Sequence, residues 1–147
     1  MKNIVILTLL FISLSSTSAS IIGIGVTPLE QMPDTEGSVY GFRFGGWIAH
    51  ETVYGLDFTI FAGHTRKAFA GTQISIGANH NVGTTTAIGT QFAGLLNWNQ
   101  GKTRVYGAQL SGFFNVNSGP AFIYGLQASL IGNFGKNYVK GLQIGFY

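Results

Sequence analysis

The chain contains no cysteine among its 147 residues. Disulfide stapling, thiol catalysis, thiolate-held metals and a lipid-modified N-terminal cysteine are therefore excluded. Charge is scarce too. Asp, Glu, Lys and Arg make up 9% of the sequence, against roughly 25% in ordinary soluble domains. The net charge of +3 is too small, with no basic cluster, to point to a nucleic-acid partner. There is no apolar run of the ~20 residues that a membrane-spanning helix needs. The best candidate, residues 4–12 (IVILTLLFI), follows Lys2 and precedes the small, polar stretch 13–19. That order is the signature of a secretory signal peptide, and cleavage is expected after Ala19. Residues 1–19 are thus read as a leader and 20–147 as one domain.

What the sequence has in quantity is glycine, 22 residues, together with 12 Phe and 6 Tyr. These fall into a repeat. An aromatic or apolar residue is followed by Gly, an apolar residue, often Gln, an apolar residue and a small one. The anchoring glycines are Gly41, Gly55, Gly71, Gly89, Gly107, Gly125 and Gly141, at spacings of 14, 16, 18, 18, 18 and 16. Units this short cannot stand alone and must pack on their neighbours.

Inside each unit the pattern has period two. One residue after each glycine come Phe42, Leu56, Thr72, Thr90, Ala108, Leu126 and Leu142, and three after come Phe44, Phe58, Ile74, Phe92, Leu110, Ala128 and Ile144. Two after it come Arg43, Asp57, Gln73, Gln91, Gln109, Gln127 and Gln143. Successive side chains of a strand point to opposite faces, so this is a strand with one oily and one polar face. Seven strands are marked in this way, and residues 20–27 supply an eighth. Segments rich in Gly, Asn, Pro and Ser separate them (residues 28–37, 49–52, 63–67, 79–84, 97–103, 117–120 and 133–137) and read as turns, most of them short enough for hairpins.

A water-facing sheet would carry Lys, Glu and Arg. Here the polar row offers only Arg43 and Asp57, whereas Gln, Ser, Thr and Gly suit a narrow interior. The oily rows are accordingly expected to face outward. The predicted fold is an eight-stranded antiparallel up-and-down transmembrane β-barrel of the outer membrane, built from 14–18-residue repeats, its strands joined by short turns. A soluble periplasmic β-sandwich or β-solenoid stands beside it as the alternative. Tyr40, Tyr54, Tyr106 and Tyr124, with Trp47, Trp98, Phe114 and Phe134, are placed as two interfacial girdles.

The candidate site residues follow from that frame. Arg43 and Asp57 are expected to pair inside the lumen, because either alone would be a confined, unpaired charge. Gln73, Gln91, Gln109, Gln127 and Gln143 are expected to form a hydrogen-bonded lumen layer that leaves no pore of appreciable bore. Arg66, Lys67, Lys102, Arg104 and Lys136 are assigned to one rim, with the acidic Glu30, Asp34 and Glu36, and are candidates for contact with anionic lipid headgroups of the outer membrane. His50, His64 and His80 are read as solvated turn residues, His50 and His80 on one rim and His64 on the other, without metal-ligand spacing. No cofactor, metal or catalytic triad is expected. A structural or surface-interaction role is favoured over an enzyme, the competing possibility being a lipid-modifying enzyme with a rim site near His64.

At these repeats the chain resembles bacterial surface-repeat proteins built from units of the form V-x-G-L-Q-[IL]-[AGS]-x-x-x-N. Residues 105–115, 123–133 and 139–146 are the best copies. Asn79 and Asn97 keep the closing Asn, and Arg43 and Asp57 replace the glutamine in the first two units. The resemblance implies a surface or outer-membrane location more than any activity. Phe146 and Tyr147 at the carboxyl end are also similar to the end of small outer-membrane barrels, which implies barrel-assembly machinery as a partner during biogenesis.

Overall fold

In the computed structural model, residues 19–27, 29–33 and 36–145 are described. The expected leader (but for Ala19), Asp34 and the terminal Phe146 and Tyr147 lie outside them. Nine strands follow one another: β1 (Ala19–Thr27), β2 (Glu30–Met32), β3 (Ser38–Ser75), β4 (Ala78–Asn81), β5 (Thr84–Ala93), β6 (Leu96–Asn99), β7 (Thr103–Ser111), β8 (Phe114–Ser129) and β9 (Gly132–Ile144). They do not form an antiparallel barrel. They wind into a parallel β-solenoid of about seven turns, which corrects the barrel expectation and agrees with the solenoid held as its alternative.

The register shows why. Gly89 lies over Gly107 and Gln91 over Gln109. Gly107 in turn lies over Gly125 and Gln109 over Gln127. The 18-residue period is therefore the length of one coil, and each residue stacks on its own counterpart in the next. Parallel neighbours need a connection of a dozen or more residues. Here the second half of every coil supplies it. The chain leaves the long strand, turns, runs through a short strand on the opposite wall (β4, β6, and the first parts of β8 and β9) and returns. β4, β6 and β8 pair in parallel along that wall through Asn79, Asn97 and Asn115. The only antiparallel pairing among the described residues is β2 on β1. Segments 49–52 and 63–67, expected as turns, lie within the continuous β3.

The corner glycines have a physical reason. Gly107 has φ +132°, and a Cβ there would lie 2.1 Å from the carbonyl oxygen of Gly89 in the coil before; Gly125 repeats this over Gly107, with φ +135° and 2.1 Å. Only glycine combines this backbone conformation with so close an approach. Stacked glycines thus set where each coil bends.

Residues two before the corner glycines form an interior apolar column. Val39, Val53 and Phe69 make one buried cluster, and Ala87, Val105 and Ile123 another. Beside this column the interior is polar.

Candidate functional site

Arg43, Gln73, Gln91, Gln109 and Gln127 are all 0% exposed and Asp57 is 2% exposed. They stack as one column down the interior. Gln127 Nε2 donates to Gln109 Oε1 at 2.9 Å, Gln109 to Gln91 at 2.9 Å, and Gln91 to Gln73 at 3.2 Å. Gln73 Nε2 then donates to Asp57 Oδ2 at 2.9 Å. Asp57 is held from its other side by Arg43, Nε to Oδ1 at 2.7 Å and Nη2 to Oδ2 at 2.5 Å. The remaining Arg43 Nη1 donates to the carbonyl of His64 at 3.0 Å. The ion pair is thus bidentate and fully enclosed, the geometry in which Arg and a carboxylate bind each other best. Gln143, placed in the same row by sequence, is exposed in the last coil.

Sequence reading missed the other half of this network. Asn79, Asn81, Asn97, Asn99 and Asn117, read as turn formers, and Asn115, which closes a repeat copy, are interior side chains exposed by 1% or less. They form two ladders on the opposite wall. Asn79 donates to Asn97 and Asn97 to Asn115, each at 2.9 Å. Asn81 donates to Asn99 and Asn99 to Asn117, also at 2.9 Å. Across the interior, Gln and Asn eight residues apart exchange reciprocal bonds: Gln91 with Asn99 at 3.0 and 3.1 Å, Gln109 with Asn117 at 3.3 and 3.2 Å. In these central coils each Gln amide uses both donors and both acceptor sites, the full capacity of the group. A buried amide left unpaired costs about 1–3 kcal/mol, so full pairing both stabilises the interior and fixes its register. The recurrence of Asn eight and ten residues after Gly71, Gly89 and Gly107 was the available signal.

The histidines are also placed differently from expectation. His50 is 0% exposed and its Nε2 lies 3.0 Å from the carbonyl of Pro33. Burial, aided by the Arg43 charge, pushes its pKa down to about 4. His64 and His80, assigned to opposite rims, are neighbours in register, with 3.0 Å between their Nδ1 atoms. At that distance one ring donates and the other accepts. His80 also stacks on Trp98, with ring centroids 4.5 Å apart. Burial and then the His80 neighbour push His64 down to about 4, and burial lowers His80 as well. Among the described residues no group of three or more His, Asp or Glu side chains could hold a metal ion.

The outer surface is the converse of the interior. Phe42, Phe44, Tyr54, Leu56, Ile88, Tyr106, Tyr124 and Ile144 are each 42–60% exposed. Tyr40 stacks on Tyr54 at 5.4 Å, Phe44 on Phe58 at 5.5 Å and Tyr106 on Tyr124 at 5.2 Å. The tyrosines therefore form ladders down the long wall, and Trp98, Phe114 and Phe134 lie on the short strands of the opposite wall, instead of making girdles around a barrel. Arg66, Lys67, Lys102, Arg104 and Lys136 sit three to five residues ahead of a corner glycine. That places them along one lengthwise edge of the solenoid, where the rim assignment had put them around a mouth. Lys67 is paired there with Glu51 at 2.7 Å.

Comparison with known proteins returned no match, whether to a family model, a curated protein or a solved structure. The fold and interior define the chain as a parallel β-solenoid with an amide-filled core.

Proposed function

We propose that the chain is an exported, non-catalytic element of the bacterial cell envelope that lies on a lipid surface through its long apolar wall. The reading rests on one observation. Polar side chains fill the interior beside a single apolar column, while aromatic and aliphatic side chains predominate on the outward face of the long wall. Rungs about 4.8 Å apart and columns two residues apart make the wall of seven rungs and three columns a flat patch on the order of 400 Å². An apolar patch of about 400 Å² is in the range of the largest patch on a typical soluble monomer, which is often functional. A flat wall with tyrosines at its border suits the interfacial zone of a bilayer, where aromatic residues partition. The basic edge complements anionic headgroups, each Lys or Arg near such a surface being worth about 1 kcal/mol. The leader-like residues 1–19 and the surface-repeat motif support export.

Flotation with lipid vesicles tests the reading. The purified chain is expected to float with phosphatidylcholine vesicles, more strongly when phosphatidylglycerol is included, and to lose only that increment at high salt. Phe42→Ser combined with Phe44→Ser and Leu56→Ser is expected to abolish flotation on both vesicles. A chain that stays at the bottom of the gradient with either vesicle would refute it.

A further inference from the structure

His64 and His80 are 16 residues apart in sequence but side by side in register. They head a column on the short wall. His80 lies over Trp98, Trp98 over Val116 and Val116 over Phe134. Asn79 and Asn81 point inward, so the pleat turns His80 between them to the outside. Both rings are half-buried on that outer face. His50 takes no part, being enclosed and set against the Pro33 carbonyl.

Neither packing nor hydrogen bonding accounts for two histidines here. The later coils fill the same column with Trp98, Val116 and Phe134. As a hydrogen bond the pair is poor. One Nδ1 donates to the other, and His80 Nε2 stays buried without a partner whichever ring donates.

The separation suits a metal ion. Two imidazole nitrogens at ~2.0 Å from one ion lie about 2.9 Å apart at a right angle and about 3.3 Å apart at the tetrahedral angle. The two Nδ1 atoms stand 3.0 Å apart, near the right-angle value of a tetragonal site. The stack on Trp98 fixes the plane of the His80 ring, and paired strands fix both backbones, so the two ligands are pre-organised. Burial lowers the pKa of both rings, which keeps them neutral near pH 7, the form that ligates. The hydrogen between the Nδ1 atoms moves to Nε2 of the ring that held it, so both Nδ1 lone pairs are freed without net proton release.

We propose that His64 and His80 form a two-imidazole chelate for a divalent transition ion of the Cu2+ class, with water in its remaining positions. Two nitrogens make a site open on the solvent side, unlike the closed four-ligand site of a structural metal. Nitrogen ligands in tetragonal geometry favour Cu2+ over the other divalent first-row ions. Arg66, two residues from His64 on the outer face, opposes a bound cation and limits the affinity. Arg43, bonded to the His64 carbonyl from inside, is neutralised by Asp57.

Trp98 is a built-in reporter, because Cu2+ quenches the fluorescence of an indole beside it. In a Trp47→Phe background and without lipid, Cu2+ alone is expected to quench Trp98 saturably at one ion per chain, and EDTA to reverse it. Zn2+, which does not quench, is expected to compete. Electron paramagnetic resonance of the Cu2+ complex is expected to show two coupled imidazole nitrogens. His64→Val, the side chain that a later coil carries in this column, is expected to raise the dissociation constant at least tenfold, and Arg66→Gln to lower it. The resonance spectrum of the unmodified chain needs no variant, so it decides the matter even if His64→Val does not fold. Quenching that never saturates, a spectrum with fewer than two imidazole nitrogens, a folded His64→Val that binds as tightly, or weaker binding by Arg66→Gln would each overturn the proposal.

Discussion

Replacing Asp57 with Asn removes the counter-ion of an arginine with no exposure to water. Arg43 would keep its bond to the His64 carbonyl at 3.0 Å but lose both contacts to a carboxylate. The new amide cannot satisfy its neighbours. Gln73 Nε2 and two Arg43 nitrogens all donate toward this position, and an amide presents a single acceptor oxygen with two donors of its own. Breaking one side of a buried ion pair costs about 3–5 kcal/mol. For a chain of this size that is a fall in melting temperature of roughly 10–20 °C. The double variant Arg43→Gln, Asp57→Gln should behave differently. It extends the glutamine column by two coils without a charge, and replacing a whole buried pair is often nearly neutral. It is expected within about 1–2 kcal/mol of the unmodified chain. Urea unfolding of the three proteins decides the matter, with hydrogen exchange locating the loss. Each coil touches only its neighbours, so protection should fall in β3 before β7. If Asp57→Asn costs less than about 0.5 kcal/mol, or if the double variant loses as much as the single one, the electrostatic account is wrong.

Gly107→Ala is expected to cost more than about 3 kcal/mol, from roughly 1–3 kcal/mol of backbone strain plus the displacement of a coil whose carbonyl would lie 2.1 Å from the new methyl group. Gly145→Ala, whose nearest neighbour would be at 3.3 Å, should stay within about 0.5 kcal/mol; equal chemical-denaturation midpoints for the two would refute the glycine-stack argument. Stability should also fall on acidification. His50, with a folded pKa of about 4 against 6.5 unfolded, binds its proton first in the unfolded chain, so its contribution is intact above about pH 6.5 and is lost as pH falls toward 4. Buried His50 accounts for about 3 kcal/mol of this, the more accessible His64 and His80 for less. Urea midpoints near pH 7.5 and pH 4.5 should therefore differ, and His50→Asn should remove most of the difference.

The inward and outward faces of the strands were legible because alternation depends only on the pleat. Phe44 and Gln91 fall on opposite sides whether the neighbouring strand runs parallel or antiparallel. For the same reason alternation could not settle direction. The barrel expectation came from Gly- and Asn-rich connections such as 97–103, read as hairpin turns. Asn97 and Asn99 share the composition of a turn but are ladder residues, and local propensity does not distinguish an asparagine that bonds its own backbone from one that bonds its counterpart in the next coil. Only the constancy of the 18-residue interval, Asn79 to Asn97 to Asn115, carries that information. Drift to 14 and 16 in the early coils obscured it. The pairing of Arg43 with Asp57 was legible from their shared row. The meeting of His64 with His80 was not, because it depends on parallel register.

The direction of the interior amides follows from one charge. An ionised Asp57 only accepts hydrogen bonds, so Gln73 must turn its nitrogen toward it. The Gln73 oxygen then faces the next coil and requires the Gln91 nitrogen, and the same constraint passes to Gln109 and Gln127. Each glutamine, once oriented, dictates its asparagine partner. Asn99 must give Nδ2 to Gln91 Oε1 and take Gln91 Nε2 on its own oxygen, which leaves its second hydrogen for Asn117. The asparagine ladders therefore donate toward the carboxyl-terminal end while the glutamine ladder donates toward the amino-terminal end, and their dipoles oppose one another across the interior. An all-amide column would have two equivalent directions, and coils that adopted different ones would meet oxygen to oxygen. A single buried carboxylate at the second coil removes that degeneracy, and Arg43 is what allows the carboxylate to be there.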